Sequence, residues 1–446
     1  MRLVLRILLI LTTTQALIFA NVNNLLPSQP ALVVKFQSFK YFNENLSNLI
    51  LLMFPRSYNE TMSSIKSYFE EIFGVDITEL SNLESIGIST NREFGFGFNR
   101  KGQPFIILPI STTNLDERIV RLQNILYKLA FTSFTFTRDY IIATGKDFEK
   151  SMVSQLPSDY NVYLSNPVFD TITPFKIPLA FSENYLVVKL KTISSNLISL
   201  ELFQTPVMLE ITNQSFRLDN ISYTFQKDSI PIIIDLKMRP IDIISNIRFF
   251  ERTIDLGIYK ILTNFEKEFE VNTIEVITNL VGPSTFFIYG YNNELNNKIM
   301  FVSSVNDQNL MIRTIDRMAR EMARKRDVFK FSIFDKTFYR LPIKENHNLY
   351  VGVIFNRFIV STDRDILIGF VRNIANDVKE FTEEHKGAIN VVINSQPTLN
   401  NTVRINTSEV NPFIRQILPL VVQSKRVIIS SQIVTNTVYS SINIEY

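Results

Sequence analysis

Tyr140-Ile-Ile-Ala-Thr-Gly-Lys-Asp147 and Phe358-Ile-Val-Ser-Thr-Asp-Arg-Asp365 align without a gap, 218 residues apart. Each is an apolar run of strand length that ends in a polar turn. Neither match stands alone. Pro30-Ala-Leu-Val-Val-Lys-Phe36 matches Pro231-Ile-Ile-Ile-Asp-Leu-Lys237 at an offset of 201, and Ile77–Leu83 matches Ile274–Leu280 at 197. Phe94-Gly-Phe-Gly-Phe98 faces Phe287-Ile-Tyr-Gly-Tyr291 at 193.

Segments of helical period occupy corresponding places between these runs. They are Phe42–Phe54, Tyr58–Phe73 and Leu115–Phe131 in the first half, and Pro240–Phe250, Ile254–Phe269 and Leu310–Arg324 in the second. The order never breaks, and the offsets change where loops vary in length. The chain after residue 20 therefore reads as two diverged copies of one unit, 21–228 and 229–446. Several strands followed by a helix predict an α+β fold. The expectation is two pseudo-equivalent domains, each a mainly antiparallel sheet with helices packed on one face.

Residues 1–20, MRLVLRILLILTTTQALIFA, carry Arg2 and Arg6 before short apolar runs, with Ala20 as a small residue ahead of a polar stretch. That pattern predicts a secretory signal peptide, the competing reading being a retained anchor. Without it, 44 basic residues stand against 43 acidic ones. Such a balance gives no reason to expect nucleic acid as a partner. The chain has no cysteine, which excludes disulfides, thiolate nucleophiles and Cys-type zinc sites. With only two histidines, His347 and His385, a multi-histidine metal centre is excluded in practice, and no metal or cofactor is expected. Heavy use of Ile, Asn, Lys and Phe suits an AT-biased bacterial genome.

Two features are candidates for binding. Alternation along a strand puts Phe94, Phe96 and Phe98 on one face and only glycine hydrogens on the other. These rings form either an aromatic wall for an apolar or sugar ligand or a core face under a helix. Phe287, Tyr289 and Tyr291 are the matching candidates in the second copy, and recurrence in both favours the scaffold role. The second feature is Met311–Arg326, where Met311, Ile315, Met318 and Met322 make an apolar stripe. Arg313, Arg317, Arg320 and Arg324 lie on the neighbouring face. They could meet anionic headgroups or an acidic partner, or could simply be solvated.

No catalytic constellation is present: the chain has no GxSxG elbow, HExxH or Gly-rich phosphate loop. Glu70/Glu71 and Glu383/Glu384 are sequence neighbours, which do not face each other on a helix. The terminal Ser441–Tyr446 alternates like the last strand of an outer-membrane barrel, but the regular helices conflict with an all-strand barrel.

The order of Ile77–Leu83, Phe94–Phe98 and Tyr140–Asp147, each with its counterpart, resembles an uncharacterised family of exported bacterial proteins. That group, a domain of unknown function, has duplicated sheet-and-helix units, and the resemblance implies no catalytic residues. The expectation is a non-catalytic binding or structural protein of the bacterial cell envelope, periplasmic or surface-associated. Its partner would be an envelope protein or apolar ligand, with peripheral membrane contact possible through the basic helix. The alternatives are a carrier of lipid or another apolar client, which a large apolar cavity would favour, and an enzyme with dispersed site residues.

Overall fold

The computed structural model describes residues 22–111, 116–153, 156, 160–165, 185–194, 197–205, 232–236, 239, 266–267, 272–290, 298–344, 347–375, 389–394, 424–434 and 437–446. The predicted signal peptide, the segment 240–250, the segment 254–269 apart from Glu266 and Lys267, Tyr291 and His385 lie outside the described residues. The fold is α+β, with every described strand pairing antiparallel. Its strands and helices gather into two compact units.

The first unit holds β1 (Pro30–Phe36), β2 (Phe94–Asn99), β3 (Pro104–Pro109), β4 (Phe131–Phe136), β5 (Tyr140–Gly145), β6 (Val162–Ser165), β7 (Tyr185–Ile193) and β8 (Leu197–Thr205). Hydrogen-bonded neighbours run β4-β5-β3-β2-β1-β6-β7-β8. The second unit holds β9 (Ile232–Leu236), β10 (Leu280–Gly290), β11 (Lys298–Val305), β12 (Phe329–Ile333), β13 (Lys336–Lys344), β14 (His347–Ile354), β15 (Arg357–Ser361), β16 (Ile389–Asn394) and β17 (Arg426–Val434). Its order is β12-β13-β14-β15-β11-β10-β9-β16-β17. The C-terminal β18 (Thr437–Glu445) pairs along β8 and counts with the first unit. Ser199 Oγ donates to Asn443 Oδ1 across that pair at 2.7 Å.

Four helices belong to the first unit: α1 (Phe39–Met53), α2 (Tyr58–Phe73), α3 (Leu80–Ser85) and α4 (Glu117–Lys128). Ser38 starts α1 by accepting the Tyr41 amide on its hydroxyl at 3.1 Å. Gly74 ends α2 in the left-handed region, φ 70°, so this helix spans the predicted Tyr58–Phe73. The rings of Phe39 and Phe42 in α1 meet Phe94 and Phe36, on the face of the sheet that α2 and α4 also cover. The other face is met by no α-helix among the described residues, but by the 3-10 helix Val22–Leu25 and neighbouring loop residues. There Val33, Phe105, Ile107, Tyr140 and Ile142 are covered by residues from the 22–26 and 148–160 segments.

The second unit departs from the one-face expectation. Helices α5 (Thr273–Asn279) and α6 (Gln308–Ala323) pack with Val351, Val353, Phe358 and Val360. Helix α7 (Arg364–Ala375) instead covers the opposite face, where Leu367 and Phe370 join Phe287, Met300 and Ile359. These strands are apolar on both faces, so both need cover.

The face assignment also corrects the 218-residue match. Tyr140 lies on the face away from α4, whereas its partner Phe358 lies under α6. Setting Ile141 against Phe358 would keep the helix-covered faces together, so as aligned the two runs do not match face for face. A one-residue slip turns every side chain to the other face.

Hairpins β12–β13 and β14–β15 turn on Phe334-Asp335 and Phe355-Asn356, with φ of 47°, 59°, 48° and 55°. Two-residue hairpin turns with positive φ at both positions favour Asn-Gly, and a bulky ring there is costly. Replacing Phe355→Asn together with Asn356→Gly is expected to raise unfolding free energy by about 1 kcal/mol. A urea midpoint that stays put or falls would show that the Phe355 ring repays the strain through contacts.

Candidate functional site

The pleat divides β2 as the sequence predicts. Phe94, Phe96 and Phe98 share a face with Phe36, Ile106 and Leu108 across the neighbouring strands. Their exposure rises along the strand: Phe94 is buried, Phe96 half-buried and Phe98 42% exposed. Phe94 is scaffold, stacked on Phe39 at 3.8 Å between ring centroids and on Phe36 at 4.5 Å. Phe96 and Phe98 do something else. They form part of the wall of a cavity of about 400 Å³ between the sheet, α2 and α4.

Helix α2 lends Tyr68, Phe69, Ile72 and Phe73 to this cavity, α4 lends Leu122, Ile125 and Leu126, and Leu129 follows from its C-cap. Leu83, Ile86 and Ile88 contribute from α3 and the chain after it. Residues at one end (Phe39, Phe42, Leu83 and Leu108) are buried, while Phe73, Leu129 and Phe131 at the other are half-buried and Phe98 is exposed. The cavity therefore opens where β2, α2 and α4 end. No lining side chain is charged, and Tyr68 brings the only side-chain hydroxyl among the described lining residues.

The opposite face of β2 explains why all three rings fall on one side. A Cβ at Gly97 would sit far inside van der Waals contact with the Leu32 carbonyl oxygen and 3.0 Å from the Phe105 ring. Backbone and core occupy the glycine face, leaving no room for a ligand there. Beside it Lys35 is buried, its Nζ 3.4 Å from Glu93 Oε1 and 4.3 Å from the centre of the Tyr160 ring. Glu93 Oε2 accepts the Val22 amide at 2.8 Å, and the Tyr160 hydroxyl donates to Asn23 Oδ1 at 2.6 Å. These bonds tie the chain around residue 22 to the sheet.

The candidate aromatics of the second unit do not form such a wall. Phe287 points to the α7 side, fully packed among Met300, Ile359 and Phe370, with its ring centroid 6.0 Å from that of Phe370. Tyr289 follows on the same face, where burial pushes its phenol well above the ordinary value. The residue that shares the α6 side is Phe286, whose ring meets Phe301 at 4.7 Å. Matched by sequence, Phe94 and Phe287 thus lie on opposite faces of their sheets.

On α6 the apolar stripe is as predicted, with Met311, Ile315 and Met322 buried and Met318 half-buried; Ala319 completes it. Arg313, Arg317, Arg320 and Arg324 are exposed. Arg313 and Arg320 donate to the carbonyls of Asn309 and Asp316 one turn back, and Arg324 pairs with Glu321. These arginines lie along one helix of the second unit, and the cavity belongs to the first.

No family model, curated protein or solved structure matches the chain. Among the described residues, no helix is long and apolar enough to cross a membrane.

Gly97→Ala is expected to cost more than about 2 kcal/mol, since the carbonyl it would strike cannot move without breaking the β1–β2 pairing. Chemical denaturation would show it, and a loss below about 0.5 kcal/mol would refute the close approach. On the same face burial raises the Tyr140 phenol from 10.0 to about 12. A raised folded-state pKa favours the protonated form, so this contribution is complete below pH 10 and is lost as pH climbs toward 12. Tyr140→Phe should therefore flatten the fall in melting temperature across that window, and an unchanged alkaline slope would count against it.

Proposed function

We propose that the chain is a binding protein for an apolar small molecule, exported to the bacterial cell envelope and acting without catalysis. The cavity behind Phe96 and Phe98 carries this reading. At about 400 Å³ it falls in the range of small-molecule sites, and an apolar lining with few polar groups is their usual character. Among the described lining residues there is no charged group and no imidazole, and Tyr68 alone carries a hydroxyl, which favours binding over chemistry. The leader-like residues 1–20 support export.

The two units are read here as diverged copies of one ancestral unit. In support, β4-β5-β3-β2-β1-β6-β7 and β14-β15-β11-β10-β9-β16-β17 share one connectivity, to which the second unit adds β12 and β13. On this reading the copies have diverged in role. The first carries the pocket, and the second carries the arginine-rich α6, available to anionic headgroups or an acidic partner.

The test is binding of a neutral fluorescent probe, N-phenyl-1-naphthylamine, to the full chain, compared with Ile125→Trp. That substitution fills the cavity from α4 and should weaken binding about tenfold or more without lowering the melting temperature. Arg317→Glu, on the other unit, should leave probe binding unchanged. A wild-type chain that does not enhance the fluorescence would sink the proposal.

A further inference from the structure

Phe334 and Phe355 sit at the tips of two hairpins of the second unit, and their side chains are 53% and 56% exposed. Each opens its turn within the same four-residue pattern, Ile333-Phe-Asp-Lys336 and Ile354-Phe-Asn-Arg357. A bulky ring at positive φ is costly, and Asn or Gly would hold either turn with less strain. At more than half exposure, burial does little to offset that cost. The β4–β5 hairpin of the first unit turns instead on polar residues, Thr137-Arg138-Asp139. Strained residues of this kind point to a use outside the fold itself.

The strand pairing brings the tips together. Phe338 faces Gly352, so the start of β13 lies beside the end of β14 and both turns leave the sheet at one end. The first turn of α6 is there too, with Gln308 Oε1 accepting the Asn356 amide at 3.3 Å. Helix α6 then runs back along β13, where Tyr339 donates to Asp316 and Arg326 to the Pro342 carbonyl. A cation follows each ring by two residues, Lys336 and Arg357. Arg313 stands about 8 Å behind Gln308 along the helix. Of the acids at this end, Asp307 caps α6 through the Leu310 amide, and Asp335 shares its turn with Lys336.

We infer that this end of the second unit docks on an anionic lipid surface. The two rings enter the headgroup layer, and the cations behind them meet phosphates. Rings on convex tips fit a surface that deforms around them, and apolar side chains backed by Lys and Arg are the composition that holds a protein at such an interface. This docking is independent of the apolar pocket in the first unit. It also differs from a contact along the whole arginine face of α6, because Arg324 lies about 24 Å behind Gln308.

The chain has no tryptophan, so Phe355→Trp in the full chain is a single-site reporter. With vesicles of phosphatidylethanolamine and phosphatidylglycerol, its emission should shift to the blue and become shielded from aqueous iodide. Phe329→Trp, exposed at the other end of β12, should do neither. Both readouts are local, so vesicle binding through residues 1–20 would not imitate them. Adding Phe334→Ser and Lys336→Glu to the Phe355→Trp chain should raise the lipid concentration at half-shift about tenfold or more without lowering the melting temperature. Adding Arg324→Glu should leave it unchanged. No shift at the Phe355→Trp reporter, or an equal shift at the Phe329→Trp one, would overturn the inference. A dimer in gel filtration that Phe334→Ser with Phe355→Ser turns into a monomer would assign the rings to a second copy and overturn it as well.

Discussion

The first unit depends on a contact that only glycine permits. Where β2 passes β1, the Leu32 carbonyl and the Phe105 ring fill the space a side chain at Gly97 would need. With that face closed to side chains, the strand's bulk goes to the other face, as the pleat requires. Phe94, Phe96 and Phe98 then project as one row toward α1, α2 and α4. Phe94 is consumed in stacking with Phe36 and Phe39, which fixes the buried end of the row. The helices stand off from the remaining rings, and the gap between them is the cavity.

Much of this was legible in the sequence. Alternating Phe and Gly gave the two-faced character of β2, and the helical period of Tyr58–Phe73 gave the extent of α2. What the sequence obscured was facing in the continuous apolar strands. Tyr140–Gly145 is buried at all six positions, so its pattern has no polar face from which register can be read. The match of Tyr140 to Phe358 therefore scored well by composition although the two runs do not match face for face. Phe94 and Phe287 fail as a pair for the same reason, since aromatic content repeats between the units but facing does not. The helix on the second face of the second unit was hidden too. An amphipathic segment such as Arg364–Ala375 shows that it must be covered, not which side of a sheet covers it.

The cavity was the least legible feature, because it is made by residues far apart in the chain. Phe42, Phe73 and Leu126 carry no mark of a site on their own segments, and only their assembly with the Phe96–Phe98 wall leaves space between them. A void has no sequence signature. Its sign in the structure is the gradient along β2, from a buried Phe94 to an exposed Phe98, which an ordinary core strand in mid-sheet would not show.

Apolar space inside a protein is unfavourable in itself, because the lining atoms lose dispersion contacts that a filled core would supply. Such a cavity stays dry, since water would find almost no hydrogen-bond partner in it. An occupant that restores the contacts without importing a charge recovers that loss, and its binding adds to the stability of the folded state in proportion to its saturation. On the proposed reading, Phe96, Phe98 and the leucines of α4 are the side chains whose lost contacts an occupant would restore.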